Sequence, residues 1–96
     1  MRESEFQARL IKKLERRFPG CVILKNDAGY IQGIPDLLIL FGSRWGMLEC
    51  KAGPDSPIQP NQPYWVRTLD QMSFAAFIDP SNEQDVLRGL EQAFRS

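Results

Sequence analysis

The chain has 96 residues, of which 43% are hydrophobic and 25% are charged, and this composition predicts one soluble globular domain with a single core. Twelve basic and twelve acidic residues cancel, and there is no histidine, which excludes Ser-His and Cys-His nucleophile systems and most zinc sites. No apolar run has the length of a membrane span and the N-terminus is charged, so we expect a cytoplasmic protein without a membrane partner.

The charge is unevenly distributed along the chain. Residues 1–25 carry seven basic and three acidic side chains, whereas residues 70–96 carry two basic and five acidic ones. Because phosphate binding depends on local rather than net charge, the basic N-terminal segment permits DNA binding. A solvated basic helix face is the simpler explanation of the same pattern. The candidate DNA contacts in this segment are Arg9, Lys12, Lys13 and Arg16.

The first predicted helix covers about residues 4–18 and has an apolar stripe at helical spacing. The stripe consists of Phe6, Leu10, Ile11, Leu14 and Phe18. At about 100° per residue, Glu3 falls near the middle of this stripe. A carboxylate on a core-facing stripe needs a partner, so Glu3 is a candidate metal ligand. A frayed N-terminal glutamate that the helix dipole stabilises is the alternative.

Three strands are predicted after this helix. Residues 21–24 form the first, and a loop follows in which Asn26 is a candidate contact to DNA or to metal-bound water, although an Asx turn explains it equally well. Residues 34–41 are predicted as a buried strand, and residues 45–51 as the next one after a turn at residues 42–44. Because this turn is short, the second and third strands should pair antiparallel.

Two carboxylates and a lysine converge in the predicted hairpin. Asp36 lies at the start of one strand, and antiparallel pairing should place it beside the end of the other. There, Glu49 and Lys51 should project from one face and Cys50 from the opposite face. Buried carboxylates need a cation or another partner, and their oxygens suit Mg²⁺ or Mn²⁺. A plain salt bridge between the lysine and one carboxylate is the alternative.

The second half of the chain is predicted as helix, strand and helix. An irregular loop at residues 53–63 leads to a helix that Asn61 should cap and whose Met72 should face the core. Residues 73–78 fit a strand, and Ser81 with the glutamine three residues later forms a capping box for the last helix. The order α-β-β-β-α-β-α predicts an α/β fold in one small domain, with a mixed β-sheet flanked by helices.

Pro35-Asp36 followed by Glu49-Cys50-Lys51 resembles the paired motif of the PD-(D/E)XK nuclease superfamily. A longer ordered set, over residues 3 to about 78, resembles the VRR-Nuc family of that superfamily. The set comprises Glu3, Gln7, Asn26, Gly33-Ile34-Pro35-Asp36, Glu49-Cys50-Lys51, Gln62 and Trp65. The sequence departs from the family pattern at residues 54–60, which are rich in proline, whereas family members more often have a shorter basic or glycine-rich link.

The resemblance implies a restriction endonuclease-like core and metal-dependent hydrolysis of DNA phosphodiester bonds. The implied ligands of Mg²⁺ or Mn²⁺ are Glu3, Asp36, Glu49 and the backbone carbonyl of Cys50. The implied catalytic residues are Asp36, Glu49, Lys51 and Gln62. Among these, Lys51 would orient the attacking water or stabilise the phosphate, and Gln62 would lie near this lysine.

The substrate that the resemblance implies is branched DNA. Stand-alone VRR-Nuc proteins of this size resemble Holliday junction resolvases, which act as homodimers, and they resemble phage proteins, which would place this one in a bacterial host cytoplasm. No small-molecule cofactor is expected. The alternatives are a flap, nicking or non-specific nuclease, a non-catalytic DNA-binding or interaction module, and a structural protein whose strand-end charges are merely paired.

Overall fold

Three helices and four strands follow one another in the order that the sequence predicts. The computed structural model describes residues 1–96. The elements are α1 (Glu3–Arg17), β1 (Val22–Lys25), β2 (Leu37–Phe41), β3 (Arg44–Cys50), α2 (Gln62–Met72), β4 (Ala75–Ile78) and α3 (Glu83–Arg95). The predicted α/β fold with the order α-β-β-β-α-β-α is therefore confirmed. None of the three helices is long and apolar enough to cross a membrane.

The four strands form one mixed sheet in the order β1-β2-β3-β4. The first three strands are antiparallel to their neighbours, while β4 runs parallel to β3. Gly42 and Ser43 alone connect β2 to β3, and Gly42 has a φ of 62°, which glycine adopts without steric cost. The parallel pair needs a longer crossover, and that connection contains α2.

Helices α1 and α3 cover one face of the sheet and form the core with it. The buried side chains of this core are Phe6, Leu10, Leu14, Phe18, Leu37, Ile39, Leu48, Cys50, Ile78, Leu87 and Leu90. Gly46 in β3 allows α3 to approach closely, because a Cβ atom there would lie 2.6 Å from the Leu90 side chain. Helix α2 packs against β3 and β4, and its first residue meets Glu49 on the opposite face of the sheet.

The opposite face has three cross-strand rows of side chains. The strand register places residues of β1, β2 and β3 side by side, and alternate residues share a face. The first row is Val22, Leu40 and Trp45; the second is Leu24, Leu38 and Met47. The same register, continued past the strand ends, brings Asn26, Asp36 and Glu49 into a third row. The face is therefore apolar near the hairpin turn and polar at the other end.

The predicted burial of β2 holds for one face of the strand and not for the other. Leu37 and Ile39 are fully buried, whereas Leu40 on the other face is 36% exposed. The neighbouring Val22 and Leu24 of β1 are also exposed. The reason is that α2 covers the β3–β4 half of this face and leaves the β1–β2 half uncovered.

Three expectations about the helices are also wrong. Asn61 precedes α2 with a φ of 72° and makes no side-chain capping hydrogen bond, and Met72 at the end of that helix is exposed. Helix α3 begins at Glu83 without a side-chain cap. Ser81 does not form the capping box, because its hydroxyl and its backbone N–H both donate to Asp79 Oδ1.

Candidate active site

The hairpin of β2 and β3 brings the two central carboxylates together. Asp36 directly precedes β2, and Glu49 is the second-last residue of β3. The carboxylate Oδ2 of Asp36 accepts a hydrogen bond of 2.9 Å from the backbone N–H of Cys50. The turn of two residues and the alternation of side chains are local features, so they suffice to place both acids at one end and on one face of the sheet.

Asn26 holds the start of β2 against the end of β1. Its backbone N–H donates to the Asp36 carbonyl at 2.8 Å, and its Nδ2 donates to the Pro35 carbonyl at 2.8 Å. The Asx turn that could have explained Asn26 forms at the next residue instead, where Asp27 Oδ1 accepts from the N–H of Gly29. Asn26 therefore orients the Pro35-Asp36 segment and lies in the same row as both carboxylates.

Glu49, Gln62 and Lys51 form a buried hydrogen-bonded chain. Gln62 Nε2 donates to Glu49 Oε2 at 2.8 Å, and its Oε1 accepts from Lys51 Nζ at 2.9 Å. The lysine nitrogen lies 3.9 Å from Glu49 Oε2. The three residues are 3%, 9% and 7% exposed. An amide has a donor end and an acceptor end, so Gln62 satisfies a carboxylate and an ammonium group at once.

The proline-rich loop closes over the lysine. Lys51 Nζ donates a second hydrogen bond, of 2.9 Å, to the Pro57 carbonyl, and the backbone N–H of Gln59 donates to Gln62 Oε1 at 2.8 Å. Pro57 has no regular secondary structure, so its carbonyl is not committed to a helix or a sheet. The proline-rich loop therefore contacts the buried lysine directly.

Burial and charge make Glu49 the most perturbed carboxylate of the chain. Removal from water and the charges of Asp36 and Glu3 together raise its pKa to about 7, although Lys51 acts in the opposite direction. Burial also raises the pKa of Asp36. The pKa of the Cys50 thiol is raised to about 12 by burial and by both carboxylates, so this side chain stays a neutral thiol. These shifts describe a buried site in which one lysine faces two carboxylates.

One oxygen of Glu49 identifies where a cation fits. Its Oε1 is the single buried side-chain nitrogen or oxygen atom that has no hydrogen-bond partner. An unpartnered carboxylate oxygen is costly in the interior, and a divalent cation between it and Asp36 would remove that cost. Carboxylate oxygens are the ligands that Mg²⁺ and Mn²⁺ prefer. The residues present therefore fit a bound ion.

The side chains alone do not form a complete metal cage. No group of three or more His, Cys, Asp or Glu side chains is arranged to hold an ion. Mg²⁺ commonly keeps several waters and uses one or two carboxylates with substrate phosphate oxygens. Asp36, Glu49 and the carbonyl of Cys50 would leave positions of that kind for water and phosphate.

Glu3 lies near the site but makes no direct contact with the two carboxylates. It is exposed in the first turn of α1, because the buried part of the apolar stripe begins at Phe6. Its charge nevertheless raises the pKa of Glu49 and of Cys50, whereas the side chain of Gln7, one turn later, lowers the pKa of the Cys50 thiol. The first turn of α1 thus faces the polar end of the sheet.

The basic residues of α1 lie apart from this polar row. Arg9, Lys12 and Arg16 are exposed, and Lys13 is paired with Glu83 of α3 at 2.5 Å. Arg9 and Lys13 line an open cavity of about 430 Å³ at the start of α3. None of the four hydrogen-bonds to Asp36 or Glu49.

One contact of the site is not predicted from the sequence, namely the hydrogen bond that the Pro57 carbonyl accepts from Lys51. The only feature of the sequence that points to it is the proline-rich loop before Gln62.

No family model matches the chain, and no curated protein or solved structure matches it either. The geometry of the site is therefore the basis for assigning a function. The features that carry chemical meaning are the two adjacent carboxylates, the unpartnered oxygen of Glu49 and the buried lysine that Gln62 and Pro57 hold beside them.

Proposed function

We propose that the protein is a Mg²⁺- or Mn²⁺-dependent DNA endonuclease that hydrolyses phosphodiester bonds. The observation that carries this proposal is the unpartnered Oε1 of buried Glu49, beside Asp36 and within reach of a buried lysine. The ordered resemblance to VRR-Nuc nucleases supports the same activity. We further propose branched DNA as the substrate, which the resemblance to junction resolvases favours.

The chemistry divides between the carboxylates and the lysine. Asp36, Glu49 and the Cys50 carbonyl, with Glu3 nearby, would hold the ion, which supplies an activated water and neutralises charge on the phosphate oxygens. Lys51 has three N–H donors, and Gln62 and Pro57 accept two of them. The third remains for the attacking water or for a phosphate oxygen. Gln62 positions both groups, because it bonds to Glu49 and Lys51 simultaneously.

A cleavage assay tests this proposal. Purified protein with Mn²⁺ or Mg²⁺ would be given a labelled four-way junction, a flap, a linear duplex and a single strand. We expect Asp36→Asn and Lys51→Ala to abolish cleavage and retain the fold. Asp55→Asn provides a matched control, because Asp55 is an exposed loop carboxylate without a hydrogen-bond partner.

The outcomes separate the alternatives. Symmetric cuts in the junction alone would identify a structure-selective resolvase, while cleavage of every substrate would identify a non-specific nuclease. Tight junction binding without cleavage of any substrate would favour a non-catalytic binding module. Undiminished cleavage in Asp36→Asn or Lys51→Ala would refute the assignment of the site.

We also propose that the chain acts as a homodimer. The support is the uncovered sheet face, on which Val22, Leu24 and Leu40 are 51%, 46% and 36% exposed. The two rows that contain them have no charged member. A twofold interface places the same surface on both sides, and an uncharged apolar surface is complementary to itself.

A further inference from the structure

An open pocket lies immediately beside the carboxylate pair. Its volume is about 290 Å³, and it is lined by Asn26, Asp27, Tyr30, Ile31, Ile34 and Met47. Met47 precedes Glu49 by two residues on the same face of β3, and Ile34 precedes Asp36 by two residues. Two strand residues span roughly 7 Å, a distance comparable to the step between neighbouring nucleotides in an extended single strand. The pocket is therefore one nucleotide away from the proposed reaction centre.

The walls of the pocket are apolar, and one of them is an aromatic ring without a partner. Ile31, Ile34 and Met47 are half-buried, while Tyr30 is 85% exposed and stacks on no other aromatic side chain. The backbone at Tyr30 is held in a turn, since its N–H donates to the Asp27 carbonyl at 3.0 Å. A fixed backbone with an exposed ring provides a surface on which a flat heterocycle can stack.

The polar groups of the pocket favour a neutral ligand over a phosphate. No lysine or arginine lines it, and Asp27 adds a negative charge. Asn26 has committed its Nδ2 to the Pro35 carbonyl, so its Oδ1 is left to accept a hydrogen bond. Nucleobases present N–H donors of this kind on their edges. The chemistry is thus that of an uncharged, flat group with hydrogen-bond donors.

We propose that this pocket binds one unpaired nucleobase adjacent to the phosphodiester that is cleaved, an inference that rests on the proposed nuclease function. A base inside a continuous duplex is stacked on both sides and paired along its edge, so it enters such a pocket only when it leaves the helix. The substrate class is therefore DNA with unpaired nucleotides at the cleavage position, such as a flap, a branch point or a single strand. Continuous duplex is a poor substrate.

Fluorescent oligonucleotides test this inference. The base analogue 2-aminopurine, whose emission falls when it stacks, would be placed at each position of a short single strand and of a matching duplex. Binding would be followed in Lys51→Ala protein with Mg²⁺, so that the DNA stays intact. We expect quenching at one position of the single strand and none within the duplex.

Variants of Tyr30 assign the effect to the pocket. Stacking on an aromatic side chain predicts that Tyr30→Ala weakens single-strand binding by about tenfold and removes the quenching, whereas Tyr30→Phe retains both. Tyr64→Ala is the matched control, because Tyr64 is an exposed tyrosine on α2 outside the pocket. Equal affinity of Tyr30→Ala and Tyr64→Ala for the single strand would overturn the inference.

Tyr30→Ala and Tyr64→Ala are also made in protein that retains Lys51, and their cleavage of DNA is measured. This measurement distinguishes an error in the pocket proposal from an error in the proposed nuclease function. If DNA is cut and Tyr30→Ala cuts single strands as fast as Tyr64→Ala, the pocket is refuted and the nuclease stands. If neither of these two variants binds or cuts DNA, the proposed function is refuted, and the pocket proposal is refuted with it.

Discussion

Among single residues, Glu49 contributes most of the unfavourable electrostatic free energy of the site. It is 3% exposed, one of its oxygens has no partner, and its pKa is raised to about 7. Such a carboxylate opposes folding when it is ionised and becomes favourable only when a cation is bound.

Replacing Glu49 with glutamine should stabilise the metal-free protein while it abolishes cleavage. At pH 8 the wild-type carboxylate is ionised, and the neutral amide avoids up to about 3 kcal/mol of that cost. Urea unfolding with EDTA measures the change. The control is Glu91→Gln, which should not stabilise the protein, because Arg17 and Arg95 lower the pKa of the Glu91 carboxyl. Equal effects of the two substitutions would contradict the prediction.

The metal-free protein should lose stability as the pH rises from about 4.5 to 7. The folded-state pKa of Glu49 lies above its ordinary value of 4.5, so the folded state binds more protons in this interval. The raised pKa of Asp36 acts in the same direction. Thermal unfolding in EDTA across this range measures the fall, which Glu49→Gln should flatten.

Added Mg²⁺ or Mn²⁺ should reverse this dependence on pH. A bound ion requires the ionised carboxylates, so the metal-induced rise in melting temperature should increase as the pH passes through about 7. Asp36→Asn should abolish the rise, and Asp55→Asn should leave it unchanged. A metal effect that is equal at pH 5 and pH 8 would argue against a site at Glu49.

At the level of secondary structure elements, the start of α2 and the loop before it complete the site. Gln62 is the first residue of α2, and the loop contributes the carbonyl of Pro57 and the N–H of Gln59. The lysine is therefore held by a segment that lies outside the hairpin that contains it. This arrangement restricts the ammonium group to one position next to Glu49.

Replacing Gln62 with alanine should impair both stability and cleavage. The substitution removes the hydrogen bonds that Gln62 makes to Lys51 and to Glu49. These two buried groups then have fewer hydrogen bonds, which costs about 1–3 kcal/mol. The expected kinetic result is a lower kcat with a small change in KM, because Gln62 positions catalytic groups without holding the DNA. Gln59→Ala is the control, since only the backbone of Gln59 takes part. A normal kcat in Gln62→Ala would show that the bridge is purely structural.

Helix ends show where local patterns mislead. Asn61 and Ser81 are residue types that often cap helices, yet neither caps one here. Asn61 packs closely against Gly33, because a Cβ atom added at Gly33 would lie 2.7 Å from the side chain of Asn61, and the backbone of Asn61 is left-handed. The hydroxyl of Ser81 is taken by Asp79. In both cases the competing contact involves residues outside the pattern that suggested the cap.

At the scale of the whole molecule, the sheet is covered unequally on its two faces. Helices α1 and α3 bury one face, whereas the other is open above β1 and β2. Exposed apolar patches of a few hundred Å² commonly mark interaction surfaces. The exposed residues of this open region, Val22, Leu24 and Leu40, lie on β1 and β2. Both carboxylates lie beyond them towards the end of β3, so contact between two copies through these three residues would leave the carboxylates uncovered.

Disrupting the apolar rows should convert a dimer into a monomer. We expect the wild-type protein to have twice the mass of one chain by light scattering, and Leu24→Asp or Leu40→Asp to reduce it to that of one chain, since a buried unpaired charge strongly disfavours the interface. Met72→Asp is the control, because Met72 is 69% exposed on α2 outside these rows. A wild-type monomer at high protein concentration would refute the homodimer.

The order of the elements and the meeting of Asp36 with the end of β3 follow from local sequence patterns. A turn of two residues and the alternation of side chains along a strand are local, so their consequences survive any later packing. Three features are visible only in the folded chain: Gln62 bridges Glu49 and Lys51, Pro57 binds the lysine, and one face of β1 and β2 stays open. These features depend on where the crossover places α2, and that position is set by the packing of side chains distant in sequence.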